Sequence, residues 1–559
     1  MRDTTRLRVP TTYAPPLAPP VCAPGRRPSG ALRRDMFANL LGRGWVALAG
    51  LLFVPLYIKL LGVEAYGLVG FTAALQVGIS LLDVGLATTL NRELARIRAS
   101  GGRPAGGGAN DSAQQQRDLV RTLESTYWIA ALVIVALVEL AASGIAKEWL
   151  HPERLSTGSV ENAIRLIGIT IALQFPFTLY EGGLLGIGRQ VALNVLIVVG
   201  ATLRFGAVVA VLVWVSATIE AFFIWQVAVT ALQTLVAGWL LWSSLPKARF
   251  RARFRRDVLS GVSGFATGMA GISLSAVVLS QMDKVVLSKV LTLSAFGYYT
   301  LAAAAAGVLY VLFLPLFQAV FPRFSQLYAI GDVRALAALY HRSAQALAVL
   351  ILPAATVLAL FSHEIILLWT QNQDAADATR ALVALFAIGT ALQGLMNVPY
   401  ALQLAAGWTT LALYANLVAI GVLLPGLVVL ASRYGALGAG FIWVALNVGY
   451  ATIGVAIMHR RLLRGHLGRW YGADVGLPLL ASIAAAGTVR LAVPAPTGAP
   501  ALFAVLAAAL TLTYLAAAMA TPVGRDVLRR RTGPAEVLGR ALATAPPRDP
   551  SPAGRRDGS

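Results

Sequence analysis

Nine ionisable residues stand inside otherwise apolar runs of this chain: Arg43, Asp83, Glu139, Arg165, Glu181, Arg204, Glu220, Asp283 and Lys284. In a bilayer a charge near the helix centre costs about 2.5–3.5 kcal/mol, so each needs a partner or a task. Arg204 is the most demanding, because Val195 to Val211 is otherwise almost wholly apolar and leaves neither end within easy reach. Two readings stand open for it: a buried ion pair with Asp83 or Glu181 that ties helices together, or a guanidinium lining a water-filled cavity. Arg43 and Arg165 lie near the ends of their apolar runs, where snorkelling competes with a functional part. Asp83, in Leu81-Leu82-Asp83-Val84-Gly85, suits either a bond between helices or a role in gating or ion coupling. Asp283 and Lys284 are adjacent, about 100° apart around a helix, so they cannot both face one cavity. Asp283 then suits gating or ion coupling, and Lys284 a place on the rim. Glu139 and Glu220 fall near span ends and are expected to be solvated.

Other chemistries are poorly supported. The five histidines (His151, His341, His363, His459 and His466) sit in or beside expected loops, which predicts no cluster for a metal. Cys22 is the only cysteine, so no intramolecular disulfide can form. None of the five lysines follows a glycine, which excludes a P-loop and a built-in ATPase. Gly435-x-x-Gly438-x-Gly440 and Gly182-Gly183 with Gly186 and Gly188 follow no strand and read as close helix packing. The longest loops on the arginine-poor side, about 144–161 and 362–379, carry no evident His, Asp or Arg constellation. No cofactor is expected, and no polar chamber for an enzyme of glycan assembly.

The elements that must position these charges follow from composition. Of 559 residues, 57% are apolar and only 13% charged, too few to coat soluble domains. Mean hydropathy is +0.70. The net charge of +21 does not point to nucleic acid, since the basic residues fall in short runs between apolar segments. Fourteen membrane-spanning helices are expected: 37–60, 66–91, 122–143, 162–185, 190–214, 218–245, 259–288, 295–321, 341–361, 380–403, 410–430, 436–459, 475–491 and 500–521. About 35 basic residues then fall on one side and about 7 on the other, which places both termini in the cytoplasm of a multi-pass inner-membrane protein.

The chain also repeats itself. Arg33-Arg34-Asp35 answers Arg255-Arg256-Asp257, and Ala172-Leu173-Gln174 with Pro176 and Gly188 answers Ala391-Leu392-Gln393 with Pro399 and Gly407. The expected architecture is an all-α polytopic membrane protein. Two six-helix lobes, related by a pseudo-two-fold along the membrane normal, are followed by two extra C-terminal helices. The expected division is a disordered tail at 1–32, an N-lobe at 33–246, a C-lobe at 247–460, spans 13 and 14 at 461–521, and a second tail at 522–559.

Several segments carry a family likeness: Leu60-Leu61-Gly62-Val63-Glu64-Ala65-Tyr66-Gly67, Asp83-Val84-Gly85, Asp283-Lys284, Phe296-Gly297-Tyr298-Tyr299, Pro322, and Gly331-Asp332. With the six-plus-six-plus-two layout they resemble bacterial polysaccharide-unit flippases of the O-antigen and exopolysaccharide type. Those flippases share a superfamily with lipid II flippases and multidrug and toxin extrusion transporters. The resemblance covers roughly residues 33–520. It implies translocation of an undecaprenyl-diphosphate-linked oligosaccharide to the outer leaflet, with membrane lipids, a polysaccharide polymerase and chain-length proteins as partners. The family's cationic central cavity maps onto Arg204, and then onto Arg43 and Arg165. A lipid II flippase, a cation-coupled drug exporter and a membrane enzyme of glycan assembly are the alternatives.

Overall fold

Hydrocarbon offers no partner to an open backbone amide, and this chain answers with helices throughout. The structure, a computed structural model, describes residues 44–80, 85–99, 109–256, 279, 281–493 and 498–530. Within them no strand forms; His151 and Thr292 make an isolated bridge. In chain order the helices are α1 (Gly44–Leu61), α2 (Val63–Ser80), α3 (Leu86–Ala99), α4 (Asp111–Trp149), α5 (Thr157–Gly186), α6 (Gln190–Trp214) and α7 (Ile219–Ser244). Then come α8 (281–290), α9 (Leu293–Ile330), α10 (Val333–Leu360), α11 (Ser362–Thr370), α12 (Gln373–Ala405), α13 (Thr410–Tyr434) and α14 (Ala436–Leu462). The last three are α15 (Leu467–Ala492), α16 (Ala499–Met519) and α17 (Pro522–Arg530).

Twelve of the described helices are long and apolar enough to cross a membrane, and they fall on expected spans 1, 3 to 6 and 8 to 14. Spans 2 and 7 are represented by α2 and α8, both cut short where the described residues end. The expected count of fourteen is therefore not established among the described residues. Arg43 and Asp83 lie outside the described residues.

Helix starts obey side-chain capping: Ser156, Thr218, Thr292, Asp332 and Asn372 each accept a bond from the backbone amide three residues on. The internal repeat is visible in matching hydrogen bonds. After α5, Arg189 N reaches Leu184 O at 2.9 Å and Gly188 N reaches Leu185 O at 3.0 Å. After α12, Trp408 N reaches Gln403 O and Gly407 N reaches Leu404 O, both at 3.0 Å. Gly188 (φ 75°) and Gly407 (φ 69°) make both caps possible, since left-handed backbone favours glycine. Pro176 and Pro399 lie inside these same two helices. The paired glutamines reach equivalent neighbours: Gln76 on α2 donates to Gln174 at 2.7 Å, and Tyr310 on α9 donates to Gln393 at 2.6 Å.

The helices pack as two lobes. In the first, α5 lies against α3, α4 and α7; in the second, α12 lies against α9, α10 and α14. Helices α15 and α16 pack on α10, where Tyr514 donates to Leu350 O at 2.8 Å. Large apolar side chains left outside, such as Leu140 (83% exposed), Trp214 (83%) and Leu491 (90%), form the surface that lipid must cover.

Candidate functional site: a guanidinium in a π turn

Arg204 does not sit in a regular helix. Residues Thr202–Ala207 of α6 widen into a π turn, a form that places a side chain where an α-helical register would not. Such a turn loosens backbone carbonyls, and three neighbouring side chains take them up. Trp225 donates to Leu203 O at 2.8 Å, Gln226 to Arg204 O at 3.1 Å, and Tyr57 on α1 to Phe205 O at 2.5 Å. The π turn is thus bolted to α7 and α1 by donors that would otherwise stand unpaired in an apolar interior.

The Arg204 guanidinium points to α7. Its Nη2 donates to Gln233 Oε1 at 3.0 Å and to Thr230 Oγ1 at 3.4 Å, and its Nε is buried without a described partner. Gln233 is itself held near by Gly200: a Cβ there would lie 2.6 Å from the amide. Among the described residues Arg204 enters no ion pair, so the expected pairing with Glu181 does not form; Asp83 lies outside them. The guanidinium is half-buried and its described partners are neutral.

The other expected residues are placed differently. Arg165 on α5 is ion-paired with Glu161 (2.7 Å) and Glu139 (3.3 Å) near an end of the helix, apart from Arg204. Glu139 is exposed, as expected, and is also a partner of Arg165. Asp283 on α8 accepts from Tyr299 Oη on α9, while its Oδ1 is buried without a described partner. It borders a cavity in the second lobe walled by Phe386, Leu427, Ile442 and Trp443. Lys284 turns away to Gln281 Oε1 at 2.7 Å, on its own helix, as adjacency on a helix requires.

The lobes meet at the arginine-poor end. The buried Glu64 carboxylate accepts from the backbone amides of Glu153 (2.6 Å), Arg154 (2.8 Å) and Leu155 (3.3 Å). The same loop reaches the other lobe: Leu293 N donates to His151 O at 2.9 Å, and Trp149 Nε1 to Ser288 Oγ at 3.0 Å. Lys289 lies 4.8 Å over the Trp149 ring. Beneath this clasp α2 and α9 touch backbone to backbone. A Cβ on Gly67 would be 2.5 Å from Leu293 O, and one on Gly297 would be 2.2 Å from Val63 O. Only glycine permits that approach, so this end of the molecule is shut.

Two groupings went unseen in the sequence. Three of the five histidines do come together: His341 Nδ1 meets the buried Asp474 carboxylate, and His341 Nε2 faces His466 Nδ1 at 2.8 Å. Gln345 donates to Asp474 at 2.8 Å, and His459 packs edge-on against Tyr340 and at a tilt beside Trp470. A carboxylate only accepts, so His341 Nδ1 carries a proton toward Asp474. Burial, then the nearby His341 and Arg469, push the His466 pKa down from its ordinary value. This network fastens the start of α15 to α10. No group of three or more possible metal ligands occurs among the described residues. The second grouping is a polar cleft at the arginine-poor end, where His363, Glu364, Asp377, Arg380 and Arg490 converge from α11, α12 and α15. The loop-by-loop reading missed it because Arg490 enters from a helix more than a hundred residues away.

The fold is a two-lobed helical bundle with an internal repeat, its lobes in close contact at one end. A family model described as a polysaccharide biosynthesis protein matches residues 32–328, and the MatE model matches residues 269–429. The chain belongs to the polysaccharide biosynthesis protein family, within the superfamily of multidrug, oligosaccharidyl-lipid and polysaccharide exporters. Among solved structures, lipid II flippase MurJ in an inward closed conformation superposes with TM-score 0.68 at 12% identity, over 89% of this chain and 100% of that one. A MATE family multidrug resistance transporter in an inward-facing conformation gives TM-score 0.59 at 14% identity, over 77% and 94%. At such identities the likeness shows the fold. No curated protein matches the chain. The families matched are transporters and flippases, so the protein is a multi-pass membrane transporter of this superfamily.

Proposed function

We propose that the protein moves an undecaprenyl-diphosphate-linked oligosaccharide from the inner to the outer leaflet of the cytoplasmic membrane by alternating access. In this reading the arginine-rich ends and both termini face the cytoplasm, and the chain is not an enzyme. The observation that carries it is Arg204: a guanidinium at membrane depth, held by a purpose-built π turn and left with neutral partners. A diphosphate diester has oxygens for that planar donor set, which a lysine would serve less well. With the clasp at the arginine-poor end shut, the substrate enters from the other side, and rocking of the lobes exposes it outward while the lipid tail stays in the bilayer. Export needs no ATPase, because two negative charges leaving a negative interior gain about 4.6 kcal/mol per 100 mV. Asp283 takes the gating or ion-coupling part with Asp83 and Lys284, and Arg43 joins Arg204 in substrate binding, whereas Arg165, held by Glu161 and Glu139, has a structural part. Membrane lipids, a polymerase and chain-length proteins are the expected partners.

The experiment is export of labelled lipid-linked glycan by cells carrying Arg204→Ala, with membrane levels of the protein checked. Loss of export at normal protein level supports the reading, and normal export removes Arg204 from it. The likeness to a lipid II flippase favours a second reading, in which the cargo is lipid II. Rescue of peptidoglycan synthesis in a strain lacking its own flippase would select that one.

A further inference from the structure

The segment joining the two lobes has a second character. From Leu245 to Arg256 it carries six basic residues (Lys247, Arg249, Arg251, Arg253, Arg255 and Arg256), no acidic one, and two phenylalanines. It follows directly on α7, so it begins where a membrane span ends. All six basic residues are exposed, and Phe250 and Phe254 are 62% and 48% exposed.

This segment is fixed in place. Gln114, Asp118 and Thr122 stand at four-residue spacing along one face of α4, about 12 Å from first to last. Gln114 Oε1 accepts from Phe250 N at 3.3 Å, Asp118 Oδ1 from Arg253 N at 2.9 Å, and Thr122 Oγ1 from Arg255 N at 2.9 Å. Five linker residues reach about 17 Å at full extension, so they cover that span with slack, in a non-helical path. Arg117 closes the near end, donating to Pro246 O at 3.3 Å and lying 5.2 Å over the Trp242 ring. The clamp uses the linker's backbone amides, which leaves its side chains facing outward.

We propose that this linker is a binding site for the headgroups of anionic phospholipids on the arginine-rich side of the bilayer. Cations alone would serve any polyanion. Cations interleaved with exposed phenylalanines, at the edge of a span, match the boundary where phosphate headgroups meet acyl chains. Arg249 lies 5.7 Å over the Phe250 ring, so ring and cation share one local surface.

The test uses full-length protein in detergent, titrated with phosphatidylglycerol or phosphatidylcholine, with retained lipids counted by native mass spectrometry. The unaltered protein should retain phosphatidylglycerol selectively, and the preference should fade as salt rises. Inorganic phosphate at matched charge should not displace it; displacement would mark a site for free phosphate and overturn the lipid assignment. Equal retention of both lipids would overturn the proposal without any variant. Replacing Lys247, Arg249, Arg251 and Arg253 with glutamine should weaken retention about fivefold for each charge removed. Arg323→Gln with Arg334→Gln and Arg460→Gln, on the same side but off the linker, should leave it unchanged. An equal loss in that triple variant would show a diffuse charge effect and refute a site.

Discussion

The two lobes repeat one another in backbone and caps, yet they hold opposite charges in opposite ways. In the first, Arg204 is a cation supported by neutral amide and hydroxyl groups on α7. In the second, Asp283 is an anion with one oxygen bonded by Tyr299 and the other unpaired beside an apolar cavity. The shared scaffold therefore does not dictate the chemistry; side chains grafted at different positions of each repeat do. In the proposed function the cargo's phosphates belong to the first lobe and a coupling cation to the second.

The sharpest way to break that division is to remove each charge in turn. Arg204→Ala is expected to lower glycan export at least about tenfold, the effect of losing charge-assisted hydrogen bonds worth about 1.5–3 kcal/mol. Arg204→Lys keeps the charge without the fork and should recover export in part. Asp283→Asn is expected to leave substrate binding intact and to flatten the dependence of transport on the cation gradient. Proteoliposomes loaded with labelled lipid-linked glycan measure both. If the two variants lose binding alike, the lobes do not divide the work.

A second comparison sets Gly67 against Gly297, which face each other across the shut end. Gly67→Val or Gly297→Val should force α2 and α9 apart, at a cost of about 1–3 kcal/mol to the closed arrangement. The readout is thiol labelling of Ser288→Cys in a Cys22→Ser background, which should rise in both. Unequal responses would show that one lobe yields and the other does not.

The repeat itself can be tested at Gln174 and Gln393. Each change to leucine removes one interhelical bond (Gln76 to Gln174, or Tyr310 to Gln393), so each should lower stability by about 0.5–1.5 kcal/mol. Melting temperatures that differ widely would mean the equivalence stops at the backbone.

Much of this was legible in the chain. Long apolar runs declare helices because lipid permits little else, and Gly188 with Gly407 announced a repeat that the caps bear out. The demand that Arg204 be explained was also legible, since a lone charge in an apolar run is conspicuous. Its setting was not: a π turn depends on Trp225, Gln226 and Tyr57 arriving from other helices, which no local pattern encodes. Helix ends hid the rest. Glu64 looked like part of a motif and proved to seal a loop some ninety residues on. The histidines looked scattered because α10 and the start of α15 are adjacent only in space.

The smallest expected effect concerns that histidine clasp, which has no counterpart among the described residues of the first lobe. Burial, with His341 and Arg469 close by, holds the His466 pKa below its ordinary value of about 6.5, while Asp474 pulls the other way. A chain with α15 undocked from α10 therefore takes up the proton before the docked one does. Docking is fully favoured above that range and loses ground as pH falls through it, which is the sign linkage requires for a depressed pKa. Melting temperature measured from pH 8 to pH 5 should fall on the acid side in the unaltered protein. In His466→Asn that part of the slope should vanish, whereas Arg165→Gln, at the other end of the comparison, should leave it in place. A slope that survives His466→Asn would place its source outside this residue.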